Sequence, residues 1–106
     1  MYESLAVRAE RGAKLLDEQR PDWWRRDFDD LDMGSCTECI LGTLGGNYLI
    51  ERERLFAFGD LGDEWYEAAR HGFSLYIGEP NHSDSSLWRD LGECWKAEIA
   101  KRRNAN

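Results

Sequence analysis

Cys36-Thr37-Glu38-Cys39 is the stretch of this chain whose residue types and spacing match a known chemistry. A cysteine pair separated by two residues fits two roles. If a helix begins here, its free N–H groups and dipole lower one thiolate pKa, and the second thiol can resolve a mixed disulfide. The run before it, Asp27 to Gly34, is acidic and carries no strand pattern, which suits neither a stabilised thiolate nor a redox fold. In the second role the pair is half of a zinc site, because structural zinc takes four ligands and such a pair commonly supplies two. Cys94, His71, His82 or a carboxylate would have to complete it. No second cysteine pair is present, so the match is partial. The third reading makes Cys36 and Cys39, three apart on one helical face, buried small apolar side chains. That is the reading adopted: no cofactor, no catalysis, with zinc on Cys36, Cys39, Cys94 and His71 as the alternative and thiol redox chemistry behind it.

The remaining candidates are weaker. His71 stands just before Gly72, where a histidine suits a helix C-terminus. His82 lies among Ser83, Asp84, Ser85 and Ser86, but nearness in sequence does not make a triad, and no oxyanion-hole pattern accompanies it. Gly42-Thr43-Leu44-Gly45-Gly46 lacks the Lys-Ser/Thr that a phosphate-binding loop needs. No calcium-loop or helical di-metal pattern occurs.

The elements that would position these residues read as helices. Leu5, Ala9, Gly12 and Leu16 form an apolar stripe over residues 4–19, with Val7 off it. Gly12 within the stripe points to a close helix crossing, and Pro21 ends the helix. Between Pro21 and Gly34, Trp23, Trp24, Phe28, Leu31 and Met33 are too many large apolar groups for a free linker. Trp23 and Trp24 are adjacent, so both cannot face one way. Most of these side chains are expected to clamp the segment onto the core, with Trp23, Trp24 and Phe28 as the candidate interface anchors on the other reading.

Ser35-Cys36-Thr37-Glu38 matches a capping box, which predicts a helix over 36–56 that buries Cys36, Ile40, Leu41, Leu44, Tyr48 and Leu49. Gly42, Gly45 and Gly46 could break it near 45, but the helical character of residues 50–54 favours continuity with a bend. Asp63 can cap a helix over 64–71 with Trp65, Ala68 and Ala69 inward, Gly72 as left-handed C-cap and Phe73 folded back. Gly59 to Gly62 and Gly78 to Asn81 read as turns, and residues 74–83 as an undecided extended piece. Asp84 can cap a last helix, 86–102, with Trp88, Leu91, Trp95 and Ile99 as the strongest stripe and Lys96, Lys101, Arg102 and Arg103 near its end. The fold class expected is all-α: one compact four-helix domain over 1–106, an orthogonal or irregular bundle with two long connections.

Composition narrows the function. The chain has 106 residues and a net charge of −7, with 42% hydrophobic residues and five Trp. That length suits one domain, and the aromatic content argues against disorder. Both halves are acidic, which disfavours direct nucleic-acid binding and favours a basic partner surface. A mimic of nucleic acid remains a further alternative on the same charge. No segment approaches the ~20 apolar residues of a membrane span. The first residues lack a signal-peptide pattern, and three cysteines are an odd number, so the expected location is cytoplasmic with reduced thiols.

The succession of Gly12 with Leu15-Leu16-Asp17, Pro21 and Trp23, Leu31-Asp32-Met33, Ser35-Cys36, Cys39, Leu41-Gly42, Gly72-Phe73, and Trp95 with Ile99 covers nearly the whole chain. It resembles small uncharacterised helical proteins of actinobacteria and their phages. The stretch Pro80 to Ser86 departs from that pattern. The resemblance implies a cytoplasmic accessory protein of a kind phages also encode, and it brings no activity with it. The function expected is therefore a noncatalytic acidic protein that binds another protein, with a homodimer as the other assembly.

Overall fold

The stripe of the first helix dictates how the rest is arranged. The computed structural model describes residues 3–56, 64–75 and 85–105. In order they form α1 (Leu5–Gln19), a 3-10 turn (Trp23–Arg25), α2 (Ile40–Gly45), α3 (Tyr48–Phe56), α4 (Glu64–Arg70) and α5 (Ser85–Ala105), with no strand among them. Ser4 caps α1 by accepting the Val7 N–H at 3.2 Å. Ala9, Ala13 and Leu16 are fully buried and Val7 is exposed, as the stripe predicts. The fold is all-α, and the Cα radius of gyration of 12.8 Å matches the ~13 Å of a compact chain this long.

α1 lies along α5 and also against α4. The close approach predicted at Gly12 is present: a Cβ there would overlap the His71 carbonyl oxygen and press on the Trp95 ring at 2.9 Å. α4 ends as a Schellman motif. Phe73 N–H reaches Ala68 O at 2.8 Å and Gly72 N–H reaches Ala69 O at 3.1 Å, with Gly72 at φ +73. That cap tucks the chain end of α4 against the Arg8–Ala9 backbone and turns Phe73 into the core.

A train of rings then runs through the interior. Phe28 meets Trp23 at 6.0 Å, Trp23 meets Trp95 edge-on at 5.7 Å, Trp95 stacks on Phe73 at 5.2 Å, and Phe73 meets Phe56 at 6.0 Å. Such pairs add about 0.5–1.5 kcal/mol each beyond area burial.

Four expectations need correction. The helix over 36–56 is two helices. Gly46 sits at φ +87, Asn47 Oδ1 accepts the Leu49 N–H at 2.9 Å, and the chain restarts in a new direction. Ser35 does accept N–H groups from Thr37 and Glu38, but the result is a turn. Helix α2 begins only at Ile40, with Cys39 as its cap. Trp65 is exposed rather than inward, because Ala68 and Ala69 alone fill that side of α4. Finally α5 does not end at 102 but runs to Ala105. Arg102 grips Asp17 at 2.8 and 2.9 Å, and Arg103 donates to the carbonyls of Trp24 and Arg26. The turns expected at 59–62 and 78–81, the Asp63 and Asp84 caps, and His82 lie outside the described residues.

Candidate functional site

The cysteine pair sits in a tight turn between the aspartate-rich segment and α2. Asp32 N–H reaches Glu38 O at 3.0 Å, and Tyr48 N–H reaches Cys36 O at 2.8 Å, so α3 buttresses the turn. Cys36 is exposed and Cys39 buried. This corrects the expectation of two buried thiols on one helical face: no helix runs through them, and Cys39 stands on extended backbone as the cap of α2. Cys39 Sγ accepts the Gly42 N–H at 3.2 Å. Burial pushes the Cys39 thiol above its ordinary range, with the N–H groups of Gly42 and Leu41 pulling the other way. Met33, Cys36 and Cys39 line one cavity of about 110 Å³ together with Tyr48, Phe73, Ser74 and Trp88.

The other two zinc candidates lie elsewhere. Cys94, half-buried on α5, has Asp90, Glu98 and Arg8 as its charged neighbours, and burial raises its thiol pKa. His71 closes α4, its Nδ1 2.7 Å from the Glu67 carbonyl oxygen and its ring 5.3 Å from Phe56. Burial, aided by the cations Arg70 and Arg11, pulls its pKa down. Among the described residues no group of three or more His, Cys, Asp or Glu side chains gathers where a metal could sit.

Two of the three interface candidates take the clamp reading. Trp23 and Phe28 are core residues, 2% and 7% exposed. The Trp23 indole also donates to Asp17 at 2.9 Å, and the Arg102 guanidinium covers its ring. Trp24 is half-buried under Arg25. Trp23 and Phe28 clamp the segment to the core, and Trp24 is the member of the adjacent pair left partly open.

Apart from Val7 on α1, the large exposed apolar groups among the described residues are on α3 and α4, where sequence reasoning did not place them. Leu49 and Ile50 are each 50% exposed, Trp65 is 52% and Tyr66 57%. α3 and α4 are packed together. Arg52 joins them, its guanidinium 5.5 Å from the Tyr48 ring and 5.2 Å from the Trp65 ring. Tyr48 is itself held by Ser74 and Arg52 side chains. The available signal was adjacency: Leu49-Ile50 and Trp65-Tyr66 are neighbouring large apolar pairs, and on a helix neighbours diverge by about 100°. The reasoning applied to Trp23-Trp24 holds for these pairs too.

No helix among the described residues is long and apolar enough to cross a membrane. No family model, curated protein or solved structure matches the chain.

Proposed function

We propose that this chain is a noncatalytic binding protein whose outer α3–α4 face receives another protein with a basic surface. The observation that carries the reading is the exposure of Leu49, Ile50, Trp65 and Tyr66 on two short packed helices. Single exposed apolar side chains are ordinary, whereas grouped ones mark interaction sites. Trp, Tyr and Arg are the residue types that dominate binding energy at interfaces, and Trp65, Tyr66 and Arg52 supply all three. Arg52 is already ordered between two rings, so less side-chain freedom is lost on binding. The net charge of −7 favours encounter with a basic partner and raises its association rate at low salt. The resemblance to small proteins of actinobacteria and their phages fits such an accessory role, directed at a host protein where the chain is phage-encoded.

The test uses wild-type protein and W65A/Y66A on beads with soluble protein from the source organism, followed by reconstitution from purified components. The expected result is a basic protein retained stoichiometrically by the wild type at low salt. Its affinity falls at least about 30-fold in the variant, the equivalent of about 2 kcal/mol for an aromatic anchor. Equal retention by the variant overturns the reading. So does sedimentation showing that the face is closed in a homodimer.

A further inference from the structure

We propose that Cys36 and Cys39, with Met33 beside them, form a binding site for a cuprous ion. Three sulfur-bearing residues from a seven-residue stretch line one cavity of about 110 Å³. Cys36 opens to water while Cys39 and Met33 are 1% and 4% exposed. An ion therefore has a solvent-facing first thiol and a dry second one. The remaining wall carries the rings of Tyr48, Phe73 and Trp88 beside Gly34, Ser35 and Ser74. Thiolate and thioether are soft donors and select Cu(I) over hard cations, and the three rings protect the cuprous state by limiting water access on their side.

The donor set also separates this ion from zinc. Structural zinc takes four N or S ligands, and among the described residues no third His, Cys, Asp or Glu joins the pair. A cuprous ion is satisfied by two thiolates in line, or by two with a thioether. On binding, both S–H bonds break, both protons pass to solvent, and two Cu–S bonds form, leaving the site with one negative charge and no change in oxidation state. The Gly42 N–H directed at Cys39 Sγ, at 3.2 Å, stabilises the sulfur that carries that charge. Tyr48, whose N–H holds the Cys36 carbonyl at 2.8 Å, fixes the turn from the far side. The site borrows Tyr48 from α3 but none of Leu49, Ile50, Trp65 and Tyr66 of the contact face.

The experiment is an anaerobic titration of reduced full-length protein with Cu(I) against a chromophoric cuprous chelator. One ion per chain is expected, with a sulfur-to-copper absorption band in the near ultraviolet. C36S is the decisive variant, because that side chain is exposed and its change leaves the core intact. It should weaken binding by more than about 100-fold, beyond the 10–100-fold cost of losing an outer-shell partner. M33L should cost about 10-fold, and C94S should bind as the wild type does. Binding unchanged in C36S, binding lost in C94S, or preference for zinc over Cu(I) in direct competition each overturns the proposal.

Discussion

Trp95 donates its indole N–H to the carbonyl of Gly72 at 2.6 Å, both groups buried between α5 and the end of α4. The same ring lies against Gly12 of α1. Three helices thus meet around one ring and two successive carbonyls, His71 against Gly12 and Gly72 on the indole, and the small residue at 12 is what lets them. In an exposed helix Gly→Ala gains about 1 kcal/mol. Here the added methyl overlaps the His71 carbonyl, and overpacking of this kind costs about 1–3 kcal/mol. G12A is therefore expected to lower the melting temperature by on the order of 10 °C, a shift of about 4–8 °C per kcal/mol being usual at this size. W95F should cost a comparable amount through the orphaned Gly72 carbonyl. Differential scanning calorimetry decides both; a G12A protein as stable as the wild type refutes the crossing.

Acid should destabilise the protein in two separate windows. Burial lowers the His71 pKa from its ordinary 6.5, and Nδ1, beside the Glu67 carbonyl, carries the proton of the neutral ring. The unfolded chain then binds the extra proton first, so stability is full above the unfolded pKa and declines as pH falls below it. Urea midpoints should drop between about pH 7.5 and 5.5, and H71Q should flatten that slope. Asp17 acts lower. The Arg102 guanidinium, helped by the Trp23 indole, holds its carboxyl below 3.8. Its contribution is present above the unfolded pKa and lost as pH falls through the folded one. D17N should remove that acid limb and, since the carboxylate is 43% exposed, cost only roughly 1 kcal/mol at neutral pH.

The two bordering helices were legible because each carries one long stripe whose period survives packing. Leu91, Trp95 and Ile99 are buried as their spacing requires, and the Gly72-Phe73 cap follows from residue types alone. The middle of the chain was less legible for a physical reason. Short helices such as α2, six residues long, hold too few positions to establish a period, so tertiary contacts decide their ends. The capping signal at Ser35 was real, yet its hydrogen bonds satisfy a turn as well as a helix. At the candidate sites, residue type showed that Cys36 and Cys39 were worth attention. Which thiol faces water depends on the extended backbone at Cys39, and no local pattern encodes that.

Thiol reactivity should separate the three cysteines. Cys36 is exposed, Cys94 half-buried and Cys39 buried, and burial raises the latter two pKa values. The thiolate is the reacting species. With an aromatic disulfide reagent in native buffer, one thiol per chain is expected to react fast, one slowly, and one only as urea unfolds the protein. C36S should delete the fast phase alone. A fast phase of two thiols, or one surviving in C36S, contradicts the turn geometry.

The bend at Gly46 is held by Glu51. Its side chain packs against Gly45 and is only 3% exposed. Arg20 of the segment after α1 meets that carboxylate at 3.0 Å and Arg54 meets it at 2.8 Å. In one straight helix, residues 45 and 51 would lie about 9 Å apart along the axis and about 120° apart around it. Their contact exists only because the chain turns between them. Removing one partner from a buried ion pair costs about 3–5 kcal/mol when the other charge stays buried. Both arginines reach solvent here, so E51A is expected to cost less, about 1–3 kcal/mol. Its more telling effect is local. The α2–α3 bend loses its clamp, and amide exchange at residues 46–50 should quicken while that in α1 and α5 stays slow. Uniform acceleration across all helices would mean that Glu51 supports the whole interior and not the bend.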